Sequence, residues 1–223
     1  MRETFHAQLA ELREQLADMC AQAASAMRSA TRALVEGDAD RARQVLDEDV
    51  ELDRTRDRCE QAAQQLLALQ APVARDLRFL LTVVHCAVKI ERMGDLAAHA
   101  AETVLLAHPR RPVPADLDEE FAELGLVAVG MADRLAELIR RADEGCYAEL
   151  NETDRIVDAL HARVMATITG RDWPHGVQSA MSLALLARFY ERFADQAVSV
   201  AKRLEFAVTG ELPDATFSGP SSR

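Results

Sequence analysis

Helical periodicity runs through almost the whole chain and is interrupted only by short clusters of Gly, Pro and Asp. Between these clusters, apolar residues recur at the three- and four-residue spacing of amphipathic helices. Nine Gly and seven Pro occur among 223 residues, so few positions favour the end of a helix. The sequence therefore predicts an all-α protein of six helices. The five interruptions lie at residues 36–40, 69–76, 108–118, 143–147 and 169–176.

The chain also contains an internal repeat, on either side of its Pro-rich centre. Residues 87–101 (AVKIERMGDLAAHAA) and 187–201 (ARFYERFADQAVSVA) share the core E-R-x-x-D, with an apolar residue after Arg and a small residue before Asp. A second match, D-x-x-[LV]-D, occurs one helix earlier, at residues 49–53 and 154–158. These matches indicate a duplicated three-helix unit, so we expect two pseudo-repeated three-helix bundles. The predicted boundaries are 1–108 for the first repeat, 115–209 for the second and 210–223 for a flexible tail.

Each predicted repeat carries two pairs of acidic residues, one on its second helix and one on its third. Acids four residues apart share one helix face, where like charges are unfavourable. The pairs border apolar stripes on consecutive helices, so four carboxylates can converge in each repeat. They repel one another unless protons, basic side chains or a metal compensate. The candidate metal ligands are Glu91, Asp95, Glu191, Asp195, Asp49, Asp53, Asp154 and Asp158.

Oxygen donors in such a cluster suit divalent or trivalent ions such as Fe, Zn, Mn or Mg. The alternative is that the acids lie on a solvated face, or pair with the adjacent Arg92 and Arg192. Repetition on equivalent helices strengthens the metal hypothesis. In the second repeat, Arg188 and Lys202 share the face of Glu191 and could supply positive charge themselves. We therefore expect a metal to bind better in the first repeat.

Composition and charge argue against several classes of protein. The net charge of −11 and the lack of basic runs argue against binding to nucleic acid. No apolar run approaches the ~20 residues that span a bilayer, and the N-terminus lacks the apolar core of a signal peptide. The four cysteines form no C-x-x-C pair and are expected to be reduced thiols. These features predict a soluble cytoplasmic protein.

Signatures of an enzyme are weak. The chain has no Gly-rich phosphate loop, nucleophile elbow or H-E-x-x-H motif. A ferritin-like di-iron centre needs two inward-facing E-x-x-H motifs. The sequence offers only Glu3-x-x-His6 and the related Asp158-x-x-His161. We expect a protein that is not an enzyme.

The segment LQAPVARDLRFLLTVVHCAVKIERMGDLAAHAAE, residues 69–102, resembles the PhoU family of phosphate-transport accessory proteins and negative regulators of the phosphate regulon. The D-x-x-[LV]-D element and the duplicated three-helix unit are also similar to that family. The resemblance implies a cytoplasmic, often dimeric adaptor that binds metal clusters at its E/D-x-x-x-D motifs. It further implies two partners, a membrane sensor histidine kinase and the ATPase subunit of a phosphate ABC transporter. When phosphate is abundant, such an adaptor holds the kinase in its signalling-off state.

Two features depart from the family pattern. His99 and Ser199 stand where the family commonly has Asn, and the turn at residues 171–182 lacks the D-L-R element. Both departures weaken the expectation of metal in the second repeat. The leading hypothesis is a signalling adaptor that contacts the membrane only through its partners. The alternatives are a carboxylate-bridged bundle acting as a metal-dependent enzyme or metal store, and a purely structural helical scaffold.

Overall fold

The described part of the computed structural model, residues 2–141 and 145–211, is built from long helices and contains no strand. A short 3-10 turn, Ala115–Leu117, precedes the fourth helix. The helix ends lie in or beside the five predicted interruptions, so the prediction of an all-α protein with six helices is confirmed. Most of the predicted tail, residues 212–223, lies outside the described residues. The helices are α1 Arg2–Glu36, α2 Ala39–Gln70, α3 Ala74–Ala107, α4 Asp118–Arg141, α5 Cys146–Ile168 and α6 Gly176–Thr209.

Local sequence signals explain the sharp turn between α1 and α2. Gly37 adopts a positive φ of 71°, which a side chain would make unfavourable. The Asp38 side chain then accepts hydrogen bonds from the backbone N–H groups of Asp40 and Arg41, at 3.1 and 3.0 Å. Since the first N–H groups of a helix have no partner within it, this cap starts α2 at a defined residue.

The six helices pack around one apolar core that continues from the first repeat into the second. Helix α1 packs against α3 and α4, and α3 packs against α6. Helix α2 covers α1 and α3, while α5 covers α4 and α6 in the equivalent position. The two pseudo-repeated three-helix bundles are thus confirmed, and they share a core. None of the described helices has an apolar stretch long enough to cross a bilayer.

A buried hydrogen bond joins the first and last helices. The Thr31 and Tyr190 hydroxyls lie 2.9 Å apart, and the Thr31 hydroxyl also donates to the Met27 carbonyl at 2.8 Å. Gly125 on α4 lies directly against Thr31, because a Cβ at residue 125 would be 2.4 Å from the Thr31 Oγ1 and Cγ2 atoms. These contacts fix how α1, α4 and α6 meet at the centre of the molecule.

Candidate functional site

The structure brings the four acids of the first repeat to one place between α2 and α3. Asp49 and Asp53 lie on α2, Glu91 and Asp95 lie on α3, and all four are partly buried. Among the described residues, none of these four carboxylates has a hydrogen bond or ion pair. Their convergence confirms that the two helical pairs face one another, as the repeat pattern indicated.

A glycine allows the two helices to approach closely at this point. Gly94 lies between the two acids of α3, and a Cβ there would be 2.3 Å from Leu52 Cδ2 and 3.0 Å from Asp49 Oδ1. Leu52 is itself buried, so it has little room to move aside. Gly94 therefore sets the distance between the acid pairs. Sequence reasoning missed this role, although a Gly within a long helix between two acids was the available signal.

The first cluster is short of positive charge. Burial, followed by the charges of Asp95 and Asp53, raises the pKa of Asp49 to about 6. Burial and the charge of Asp95 also raise the pKa of Glu91. His99 opposes the shift at Asp49, and Arg56 opposes the shift at Glu91. Because these opposing charges do not cancel the shifts, the cluster would gain stability from an added cation.

The second repeat forms an equivalent cluster between α5 and α6. Burial, then the charges of Asp158, Asp195 and Glu191, raises the pKa of Asp154 to about 7. Burial is also the largest cause of the raised pKa of Glu191 and of Asp195. Asp158 and Asp195 are more exposed than Asp53 and Asp95, their counterparts in the first cluster. Each repeat thus assembles the four carboxylates that its sequence predicted.

Basic residues compensate the second cluster more than the first. Arg188 forms an ion pair with Glu191, leaving the other carboxylate oxygen of Glu191 buried without a hydrogen-bond partner among the described residues. Lys202 does not take the expected place beside Glu191, since its ammonium group lies 5.7 Å from the centre of the Tyr147 ring. The asymmetry between the repeats therefore rests on Arg188.

The adjacent arginines do not neutralise the clusters by direct contact. Neither Arg92 nor Arg192 forms an ion pair within the described ranges, and both are exposed. They act only at a distance, on Glu91 and Asp195 respectively. The alternative hypothesis of local Glu–Arg pairing therefore applies to Arg188 and not to these two residues.

The chemistry of the donors fits a hard cation, although the side chains do not form a ready-made site. Both clusters offer carboxylate oxygens, the donors that Mg, Mn or Fe prefer, and in the first cluster no ion pair among the described residues compensates their charge. Yet within residues 2–141 and 145–211, no three His, Cys, Asp or Glu side chains are grouped to hold a metal ion. The carboxylates would have to turn toward an incoming ion, so metal binding stays a prediction.

The family model and the curated relatives that match this chain all concern PhoU proteins. The family model of the PhoU domain matches residues 16–104 and 121–204, one match in each repeat. The chain is 42% identical over 214 residues to phosphate-specific transport system accessory protein PhoU homolog 1 of Mycobacterium leprae, covering 96% of both chains. It is 41% identical to PhoU homolog 2 of Mycobacterium tuberculosis, covering 96% of this chain and all of the relative.

Solved structures share the fold. The crystal structure of the phosphate transport system regulatory protein PhoU from Streptococcus pneumoniae superposes with a TM-score of 0.82 at 23% identity, covering 94% of this chain and 99% of that one. PhoU from Pseudomonas aeruginosa gives a TM-score of 0.81 at 23% identity, with coverage of 93% and 100%. The chain belongs to the PhoU family.

Proposed function

We propose that the protein is a regulatory accessory to phosphate uptake and restrains the phosphate-starvation response when phosphate is abundant. The observation that carries this proposal is the similarity, over 96% of the chain, to relatives named phosphate-specific transport system accessory proteins. The proposed role is that of an adaptor and not of an enzyme. It works in the cytoplasm and approaches the membrane only through other proteins.

The proposed partners are the ATPase subunit of a phosphate ABC transporter and a membrane sensor histidine kinase. Exposed apolar side chains along the third helix of each repeat support binding to proteins. On α3 they include Leu77 and Leu81, and on α6 they include Val177 and Met181 at the equivalent positions. Surfaces of this kind are typical of protein interfaces. The same apolar surfaces also support a homodimer as the form of the protein that binds these partners.

A pull-down from cells grown with and without phosphate tests the proposed partners. The tagged protein should retain the kinase and the ATPase subunit in phosphate-rich medium. Leu81→Asp should reduce this retention because it places a charge in the apolar surface of α3. Leu126→Asp is the matched control, since Leu126 is exposed on α4. Failure to retain either partner, or equal loss in both variants, would contradict the proposal.

We further propose that metal ions organise the two carboxylate clusters. Asp49, Asp53, Glu91 and Asp95 would hold an ion in the first repeat, where no ion pair among the described residues competes. A bound cation would supply the positive charge that the cluster lacks and would fix α2 against α3. Metal analysis of protein purified without chelator should find less metal in Asp95→Ala than in the unmodified protein. Equal and negligible metal in both samples would contradict this part of the proposal.

A further inference from the structure

A cavity of about 390 Å³ lies where the two repeats are joined, well away from the carboxylate clusters. Its walls are the last turns of α3, the connection that follows them and the first turns of α6. The volume falls in the range of small-molecule sites, ~300–1,000 Å³. Its polar lining includes Arg110, Arg111, His175, Gln178, Ser179 and Ser182.

The lining of this cavity contains no acidic side chain, although the chain as a whole is negative. The protein carries a net charge of −11, yet the cavity lining includes two Arg and one His and no Asp or Glu. Arg111 is committed to Asp118 and to the Val35 carbonyl, and His175 contacts Asp116 at 3.2 Å. Arg110 forms no ion pair with any residue in 2–141 or 145–211. Its guanidinium is therefore the cation left to meet a ligand.

Neutral polar side chains line the same cavity as Arg110. The Ser179 hydroxyl has no hydrogen bond among the described residues, and Gln178 lies beside it on the first turn of α6. Two backbone acceptors of the lining are already occupied, because the Ala107 carbonyl accepts from the Arg110 N–H group at 2.9 Å and the Gln178 carbonyl accepts from the Ser182 hydroxyl at 3.2 Å. The polar part of the cavity thus offers more donors than acceptors, which favours an oxyanion.

The rest of the cavity is apolar. Leu183 and Leu186 are buried beneath it, and Leu106 lies at its edge. We propose that this cavity binds the phosphate group of a small anion, held by Arg110, Ser179 and Gln178, with the apolar wall receiving any organic part. This goes beyond the proposed function, since it gives the adaptor a phosphate ligand of its own at the junction of its repeats.

Titration calorimetry on the full chain tests the proposal with inorganic phosphate and AMP as probes and sulfate as the competing oxyanion. Arg110→Ala should weaken binding of phosphate at least about tenfold, because it removes a charge-assisted hydrogen bond. Ser179→Ala should weaken it less. Arg171→Ala is the matched control: Arg171 is exposed in the nearby α5–α6 connection, outside the cavity lining, and its loss should leave the affinity within about twofold.

The two probes separate the possible sources of the phosphate group. Tighter binding of AMP indicates a phosphate ester whose organic part contacts the Leu183 side of the cavity, whereas binding of inorganic phosphate alone indicates the free ion. Either result supports the site if Arg110→Ala weakens or abolishes binding of the probe. Two outcomes would overturn it: no saturable binding of either probe, or equal losses in Arg110→Ala and Arg171→Ala. Sulfate should compete with both probes, because the cavity offers donors to any oxyanion.

Discussion

The close approach of α2 and α3 at Gly94 gives a sharp test of the geometry of the first carboxylate cluster. In Gly94→Ala, the new Cβ would be 2.3 Å from Leu52 Cδ2 and 3.0 Å from Asp49 Oδ1. The matched control is Gly130→Ala in α4, since a Cβ at residue 130 would have nothing within 4 Å. Both changes improve helix propensity by about 1 kcal/mol. The difference between the variants therefore isolates the steric conflict.

Overpacking of this kind lowers the free energy of unfolding by about 1–3 kcal/mol. We expect Gly94→Ala to be less stable than Gly130→Ala by that amount, while Gly130→Ala should exceed the unmodified protein by up to about 1 kcal/mol. Urea unfolding followed by circular dichroism measures both values in one series, with chelator present to exclude metal. If the two variants were equally stable, α2 and α3 would not be this close, and the description of the cluster would be wrong.

Two further changes test the electrostatics of the second cluster and the contact between repeats. The pKa of Asp154 is raised from 3.8 to about 7, so the folded state favours the neutral carboxyl. The stability that Asp154 contributes is therefore fully present below pH ~4 and is lost as the pH rises through 7. The full difference corresponds to about 4 kcal/mol, which exposure of the half-buried group reduces to about 1 kcal/mol. With chelator present, urea unfolding should therefore show that Asp154→Asn gains about 1 kcal/mol in stability over the unmodified protein as the pH rises from 5 to 8. A difference independent of pH would contradict this. Tyr190→Phe removes the buried hydrogen bond to Thr31 and should lower the free energy of unfolding by about 1 kcal/mol, or Tm by about 2–4 °C. The control Tyr147→Phe, at a partly exposed position, should change Tm little, and equal shifts in both would refute the assigned role.

The sequence predicted the helices and the acid clusters because both depend on local spacing. Breaker residues such as Gly37 and Asp38 act within a few positions, so the helix ends could be placed from the local sequence alone. The carboxylates could be predicted because E-x-x-x-D and D-x-x-x-D place two acids on one face. Repetition of both patterns then indicated that the two faces meet.

Features that depend on contacts distant in sequence could not be predicted in the same way. The Thr31–Tyr190 hydrogen bond joins residues 159 positions apart, and no periodicity reports it. The direction of long side chains could not be predicted either. Arg188 forms an ion pair with Glu191, whereas Lys202, which was expected on the same face, lies over the Tyr147 ring. Long flexible side chains choose among partners by tertiary packing, which helical spacing alone does not contain.

The proposed regulatory role is tested most directly by expression of phosphate-scavenging genes in phosphate-rich medium, in a strain that lacks this gene and any paralogue. Deletion should switch these genes on, and the unmodified protein supplied in trans should switch them off again. A variant with Asn or Gln replacing Asp49, Asp53, Glu91 and Asp95 should fail to restore repression if metal binding at the first cluster is needed for the regulatory role. Expression that stays low after deletion would contradict the account of this protein as a negative regulator of the phosphate response.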